Sequence, residues 1–414
     1  MKRRTFLHTA CSTAVAAMAG SRITHLSFAA DDAAPRDHLL VVLFLRGGCD
    51  GLNLLGPADD RDFAAARPAS LRVTDGGKHA GLAMKNGFKG VDMRLHRAAA
   101  PLKELYDSGD LALIHACGLV NGSRSHFDAQ DMMERGVADQ KSMSIASGWL
   151  ARTIEALAPS GLLPAVAVGG ELPDSLRQSK VAVSMSEASE FRYGHESELA
   201  VLQRLYQGST GLQRAGRLTL ETIHALQKKL PRDAQGEILD YKPDASAKYD
   251  DTGDLGESLR SLAQLTKMEV GLRVATVDYD GWDTHEYQED RFHSLVDEMS
   301  RALVAFYNDL SRFRKKMTVV VHSEFGRRLK SNLSEGTDHG HGGVNLVLGG
   351  GVQGGRLYGE WRGLANDQLD QGADLAITTD YRAVLHEVLT KRVGLADTKS
   401  IFPDFAAGKL LGLA

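Results

Sequence analysis

Residues 37–50 read DHLLVVLFLRGGCD. From Leu39 to Leu45 every side chain is apolar, and Gly47-Gly48 closes the run. A continuous apolar stretch of this length, bounded by glycines, predicts a strand buried on both faces in the middle of a parallel sheet. It delivers Asp50 to the strand's carboxyl end, which is where ligands gather in open α/β sheets. Asp50-Gly51 is equally a common turn pair.

Working outward, the same grammar recurs. DLALIHACG (110–118), LPAVAVGG (163–170), GLRVATVDY (271–279), MTVVVHS (317–323) and VNLVLGGG (344–351) read as further strands. Between them, residues 95–109, 123–136, 147–157, 288–313 and 380–394 carry helical spacing. Gly109 stands as a C-cap, and Phe127, Met132 and Met133 are expected to form an apolar face. This alternation predicts an α/β fold with a doubly wound, mostly parallel sheet and helices on both faces. Residues 57–92 read as a long loop with short elements. Residues 185–268 are polar, helical in pattern and poor in strand signals, so they read as a helical insertion into one domain spanning 31–414.

The first thirty residues carry a basic start, a short apolar middle and small residues near Ala29 and Ala30. This order is that of a secretory signal. Arg3-Arg4 followed by Thr5-Phe6-Leu7 resembles a twin-arginine signal. The expected location is therefore the periplasm or the exterior, reached through the twin-arginine export machinery. The apolar stretch is too short for a stable membrane anchor. The whole chain has a formal charge of −4. Removing Lys2, Arg3, Arg4 and Arg22 leaves about −8, which disfavours nucleic acid as a partner. Cys49 and Cys117 remain after cleavage and read as buried free thiols rather than a bridge.

The chemistry-bearing residues fall at strand ends. Asp283 and His285 sit in DYDGWDTH, Glu324 follows TVVVHS, and Asp338, His339 and His341 occupy TDHGHGG. Carboxylates and imidazoles meeting in one crevice form a ligand set for a divalent metal such as zinc or manganese. Ser123, Arg124, Ser125 and His126 lie between a strand and a helix. A serine there has the positive end of the helix dipole beside it and is a candidate nucleophile. Arg124 or His126 could hold a leaving oxyanion, and Arg327 could bind a substrate anion. Local sequence alone favours an N-cap serine with a surface arginine.

RGGCDGLN, NGSRSHFDAQD, YDGWDTH, SEFGRR, TDHGHGG and LGGGVQGG, taken in order, resemble the DUF1501 family of exported bacterial proteins. Cys49 stands where asparagine is usual there. That family is in turn similar to the alkaline phosphatase and sulfatase superfamily. The resemblance implies Asp50 as a first-strand metal ligand, Ser125 or Ser123 as nucleophile, and Asp283 and His285 in one metal site. It implies a late ligand from His339 or His341, and places Glu324 where the superfamily often has an Asp-His pair. No Cys-x-Pro-Ser-Arg occurs, which argues against a formylglycine sulfatase. The expected activity is metal-dependent hydrolysis of a phosphate or sulfate ester, on a small molecule or a polymer. The alternative is a non-catalytic periplasmic binding or scaffold protein on the same fold.

Overall fold

A computed structural model describes residues 37–139, 142, 144–188 and 196–414. The expected signal sequence lies outside the described residues. Leu39–Leu45 forms β1, and all seven side chains are buried. Its odd-numbered side chains enter one core, with the helices Ala100–Asp107, Gly253–Lys267 and Gln288–Asp309. Leu40, Val42 and Phe44 enter the other, with the helices His126–Arg135, Trp149–Leu157 and Tyr381–Val388. Alternation along the strand thus splits the apolar run between two helical layers.

The strands in chain order are β2 (Leu55–Pro57), β3 (Leu82–Ala83), β4 (Met93–Leu95), β5 (Leu111–Gly118), β6 (Ala165–Val168), β7 (Ala182–Met185), β8 (Val274–Tyr279), β9 (Met317–Ser323), β10 (Arg327–Ser331), β11 (Thr337–His339), β12 (Gly343–Leu348), β13 (Leu357–Tyr358) and β14 (Thr379–Asp380). The main sheet runs β13-β5-β12-β9-β1-β8-β6-β7, with β14 also paired to β5. Every neighbouring pair is parallel except those made by β12, which is antiparallel to β5 and β9. The expected doubly wound, mostly parallel sheet is therefore the architecture. Its carboxyl edge gathers the loops after β1, β5, β8 and β9, and also the loop that leads into β12.

Gly47 shows why the loop after β1 is glycine-rich. It has φ +118°, and a Cβ there would lie 2.5 Å from the backbone nitrogen of Asp283. Only glycine lets the β1 loop run this close to the segment carrying that acid. Gly340 acts likewise, since a Cβ would lie 2.3 Å from the carbonyl carbon of Arg327.

The stretch 57–92 is a loop with short elements, as expected: the helix Arg61–Ala66 and the two-residue β3, which pairs with β4 beside β2. Two expectations change. The insertion is shorter than 185–268, because the helix Gly253–Lys267 buries Leu255, Leu259, Leu262, Ala263 and Leu265 in the main core. The remaining helices there, Glu196–Leu205 and Gly211–Lys229, lie between β7 and that helix. Phe127 is 87% exposed and lies on no apolar face, whereas Met132 and Met133 are buried. Cys49 and Cys117 are buried free thiols, as expected. Among the described residues no helix is long and apolar enough to cross a membrane.

Candidate metal centre

Three histidines from three loops meet at the carboxyl edge, and each has its Nδ1 against a group that accepts a hydrogen bond. His126 begins the helix after β5, and its Nδ1 lies 2.8 Å from Glu324 Oε1. His285 follows β8, and its Nδ1 lies 3.2 Å from Asp338 Oδ1. His339 ends β11, and its Nδ1 lies 2.7 Å from the carbonyl of Arg124. A carboxylate or carbonyl only accepts, so each imidazole carries its proton on Nδ1 and turns the Nε2 lone pair inward.

The Nε2 atoms converge with Asp283. His285 Nε2 is 2.8 Å from His339 Nε2 and 3.0 Å from Asp283 Oδ1. His339 Nε2 is 3.2 Å from the same oxygen. His126 Nε2 is 3.5 Å from Asp283 Oδ2, yet is buried and makes no hydrogen bond. His126, Asp283 and His339 each offer a ligand atom within 4.8 Å of the others. A buried nitrogen without a partner, facing a carboxylate and two more lone pairs, is costly unless a cation joins them. The residues therefore fit a divalent metal ion.

A second ring of groups orients the first. Glu324 is fully buried, and its Oε1 accepts from Gly47 N and Gln130 Nε2 at 2.9 and 2.8 Å. Ser323 Oγ donates to Oε2 at 2.9 Å. Burial pushes this carboxyl up, but the bonds from His126, Gln130 and Gly47 outweigh it and hold the group below its ordinary range. The Glu324 hydrogen bond in turn raises the His126 imidazole against burial. Asp283 is brought down to about 2: burial opposes ionisation, but the Arg327 guanidinium 2.6 Å away and His339 prevail. Asn332 and His285 keep Asp338 below the usual carboxylate range. Phe325 packs against both His126 and His339, with ring centroids 4.8 Å away in each case.

Several expected site residues take other places. Asp50 is not among the converging groups. Its buried carboxylate receives Arg67 Nη1 and Gln288 Nε2, both at 2.6 Å, and caps the following helix through Asn53 N. Glu324 supports His126 instead of facing the centre. Arg327 is buried and donates to the carbonyls of Gly47, Gly48, Trp282 and Thr337 as well as to Asp283, so it does not reach a substrate anion. Asp338 braces His285. His341 points away, between the Leu119 carbonyl and Asp370. Arg124 holds its guanidinium against buried Asp374 and against Asp370. Ser123 accepts from Ser125 N and donates to Asp128, while Ser125 makes no side-chain cap bond. Ser125 lies between Arg124, whose carbonyl holds His339, and His126. Asp283, His285 and His339 lie together at this edge. Gln130, Asn332, Arg67, Gln288 and Phe325 were not singled out, since nothing local marks a glutamine or phenylalanine as the support of a distant histidine.

Fold and centre define a doubly wound α/β protein with an imidazole-rich, metal-competent crevice at its carboxyl edge. The profile described as "Protein of unknown function (DUF1501)" matches residues 112–402, and the chain belongs to that family. No curated protein matches it. Among solved structures the chain is similar to Ps i-CgsB in complex with k-i-k-neocarrahexaose (9% identity, 89% of this chain and 74% of that one, TM-score 0.41). It is similar to a protein in the alkaline phosphatase superfamily from Vibrio parahaemolyticus (12% identity, 97% and 79%, TM-score 0.38). It is also similar to the phosphonate monoester hydrolase SpPMH from Silicibacter pomeroyi (12% identity, 91% and 77%, TM-score 0.40).

Proposed function

We propose that this chain is an exported, metal-dependent hydrolase acting on a phosphate or sulfate ester. The observation that carries the reading is the convergence of His126, His285 and His339 Nε2 on Asp283, with every Nδ1 committed to an acceptor. The ordered motifs that resemble the DUF1501 family support it, and the twin-arginine-like leader supports export to the periplasm. His126, Asp283, His285 and His339 would hold the ion. When bound, a divalent cation supplies Lewis-acid charge compensation to the transferred group.

The chain's own residues do the rest. Glu324, Asp338 and the Arg124 carbonyl fix the three imidazole planes. Arg327 keeps Asp283 ionised and oriented. Ser125, next to His126 with its hydroxyl uncommitted to capping, is the nucleophile candidate. Phe325 closes the floor beneath two of the imidazoles and keeps water from that side.

One observation favours the non-catalytic binding reading. The two arginines expected to meet a substrate anion, Arg124 and Arg327, are paired with carboxylates in the protein. The experiment is metal analysis of the purified mature protein, followed by a screen of aryl phosphate and aryl sulfate esters on wild type and Ser125→Ala. Stoichiometric metal with turnover that Ser125→Ala loses is the expected result. Bound metal with no turnover on any ester leaves the binding reading, and a protein that takes up no ion sinks the hydrolase.

A further inference from the structure

The resemblance to the alkaline phosphatase and sulfatase superfamily implies a carboxylate-led ligand set that includes Asp50, with Glu324 at an Asp-His position. The side chains do not arrange themselves so. Both oxygens of Asp50 are spoken for by Asn53, Arg67 and Gln288, and its side chain has no exposure. Glu324 faces His126 Nδ1, on the far side of the ring from Asp283. The atoms left facing one another are three imidazole nitrogens and one carboxylate.

We infer that the centre holds one first-row transition ion of the zinc class, and that it rejects magnesium and calcium. The inference rests on the metal-dependent reading above and specifies its ion. Imidazole suits zinc, iron, copper and nickel, whereas magnesium and calcium take oxygen ligands and keep water in preference to nitrogen. Ion–nitrogen bonds of about 2.0–2.1 Å at tetrahedral angles put neighbouring donors roughly 3.3 Å apart. His285 Nε2, His339 Nε2 and Asp283 Oδ1 lie 2.8, 3.0 and 3.2 Å apart, close to that edge, and His126 Nε2 lies 3.5 Å from the other oxygen of Asp283, Oδ2. Each Nδ1 partner also raises the basicity of the nitrogen it leaves facing inward, with Glu324 and Asp338 as carboxylates behind two of the three.

The count of one ion follows from Arg327. A second ion that used Asp283 as a bridge would have to compete with Arg327 for that carboxylate. Asp283 Oδ1 already receives the Arg327 guanidinium at 2.6 Å, and that guanidinium is fixed by four backbone carbonyls. The guanidinium is thus a built-in second cation beside the shared carboxylate. Among the described residues no other group of three histidine, cysteine or acidic side chains comes together in this way.

The test uses the full mature chain, stripped of metal and dialysed against equimolar zinc, manganese, magnesium and calcium, then analysed by elemental mass spectrometry. Competition titrations against a chromophoric chelator give the affinities. One zinc-class ion per chain is expected, with magnesium and calcium absent even in excess. His126→Ala and His285→Ala should each weaken binding by more than the roughly 10–100-fold that loss of an outer partner costs. His341→Ala should leave affinity unchanged. Circular dichroism and thermal melts confirm that each variant is folded. Two ions per chain, preferential uptake of magnesium or calcium, or wild-type affinity in folded His126→Ala would each overturn the inference while leaving a metal-dependent enzyme standing. Failure to bind any ion would overturn both.

Discussion

Oε1 of Glu324 lies 2.8 Å from Nδ1 of His126, and the pair is made by residues 198 positions apart. The carboxylate is fully buried and ionised, with backbone, glutamine and serine donors completing its shell. Its effect on the centre is to fix the His126 tautomer and plane. Glu324→Gln keeps the shape but replaces a charged acceptor with a neutral one that can also donate. Affinity for zinc should fall by about 10–100-fold, read by chelator competition. Unchanged affinity would mean that Glu324 does not act through His126.

Asp50 makes the opposite prediction. The sequence reads it equally as a first-strand ligand or a turn aspartate, and it forms a buried ion pair with Arg67 in which both side chains have no exposure. Arg67 also donates to the carbonyls of Leu71, Arg328 and Leu329, so the pair ties the start of the chain to β10. Asp50→Ala leaves a buried guanidinium uncompensated and should cost about 3–5 kcal/mol in chemical denaturation. The same variant, where folded, should retain wild-type metal content. Loss of the ion with stability intact would restore Asp50 to the ligand set.

How much of this was legible in the sequence follows from the range of each interaction. The strand at 39–45 and the other main-sheet strands at 111–118, 274–279, 317–323 and 343–348 announce themselves because burial on both faces needs continuous apolar runs. That Asp283, His285 and His339 come together was legible because polar groups at strand ends leave short polar clusters after apolar runs. The sorting of inner from outer groups was not legible. Whether Glu324 faces a metal or His126, and whether Asp50 faces a metal or Arg67, depends on partners far off in the chain. The shortened insertion has the same cause. The helix Gly253–Lys267 looks polar in sequence because only one stripe of it, Leu255, Leu259, Leu262 and Leu265 with neighbours, meets the core.

That region has a hub of its own. Asp309 has no exposure and accepts from Tyr241 Oη at 2.9 Å, Asp244 N at 2.8 Å, Tyr249 Oη at 3.1 Å and Lys267 Nζ at 2.6 Å. One carboxylate therefore fastens the polar segment 241–249 to two core helices. Asp309→Ala takes the acceptor from two phenols and leaves the partly exposed Lys267 ammonium with Asp244 alone, and should destabilise by about 1–3 kcal/mol. Amide exchange in 241–252 should accelerate well before that in β1. Equal protection of both regions in the variant would show that the segment is held by other contacts.

Four buried histidines set the response to acid. Burial keeps His38, His96 and His322 neutral down to about 3, and His115 down to about 4. Arg392 and Arg273 reinforce this at His38, and Arg46 at His322. All four pKa values lie below the unfolded value near 6.5. As pH falls through 6.5 the unfolded chain therefore takes up protons that the native chain refuses. Their stabilising contribution is whole above that value and drains away between about 6.5 and 3. Each contributes up to about 1.4 kcal/mol per pH unit well inside the window. Urea midpoints should therefore drop steeply between pH 6.5 and 4.5. His322 packs against Phe44 in a tilted arrangement with both ring nitrogens unpartnered, so His322→Phe should flatten that drop by about a quarter. Parallel pH profiles for the variant and wild type would place the acid sensitivity in the carboxylates.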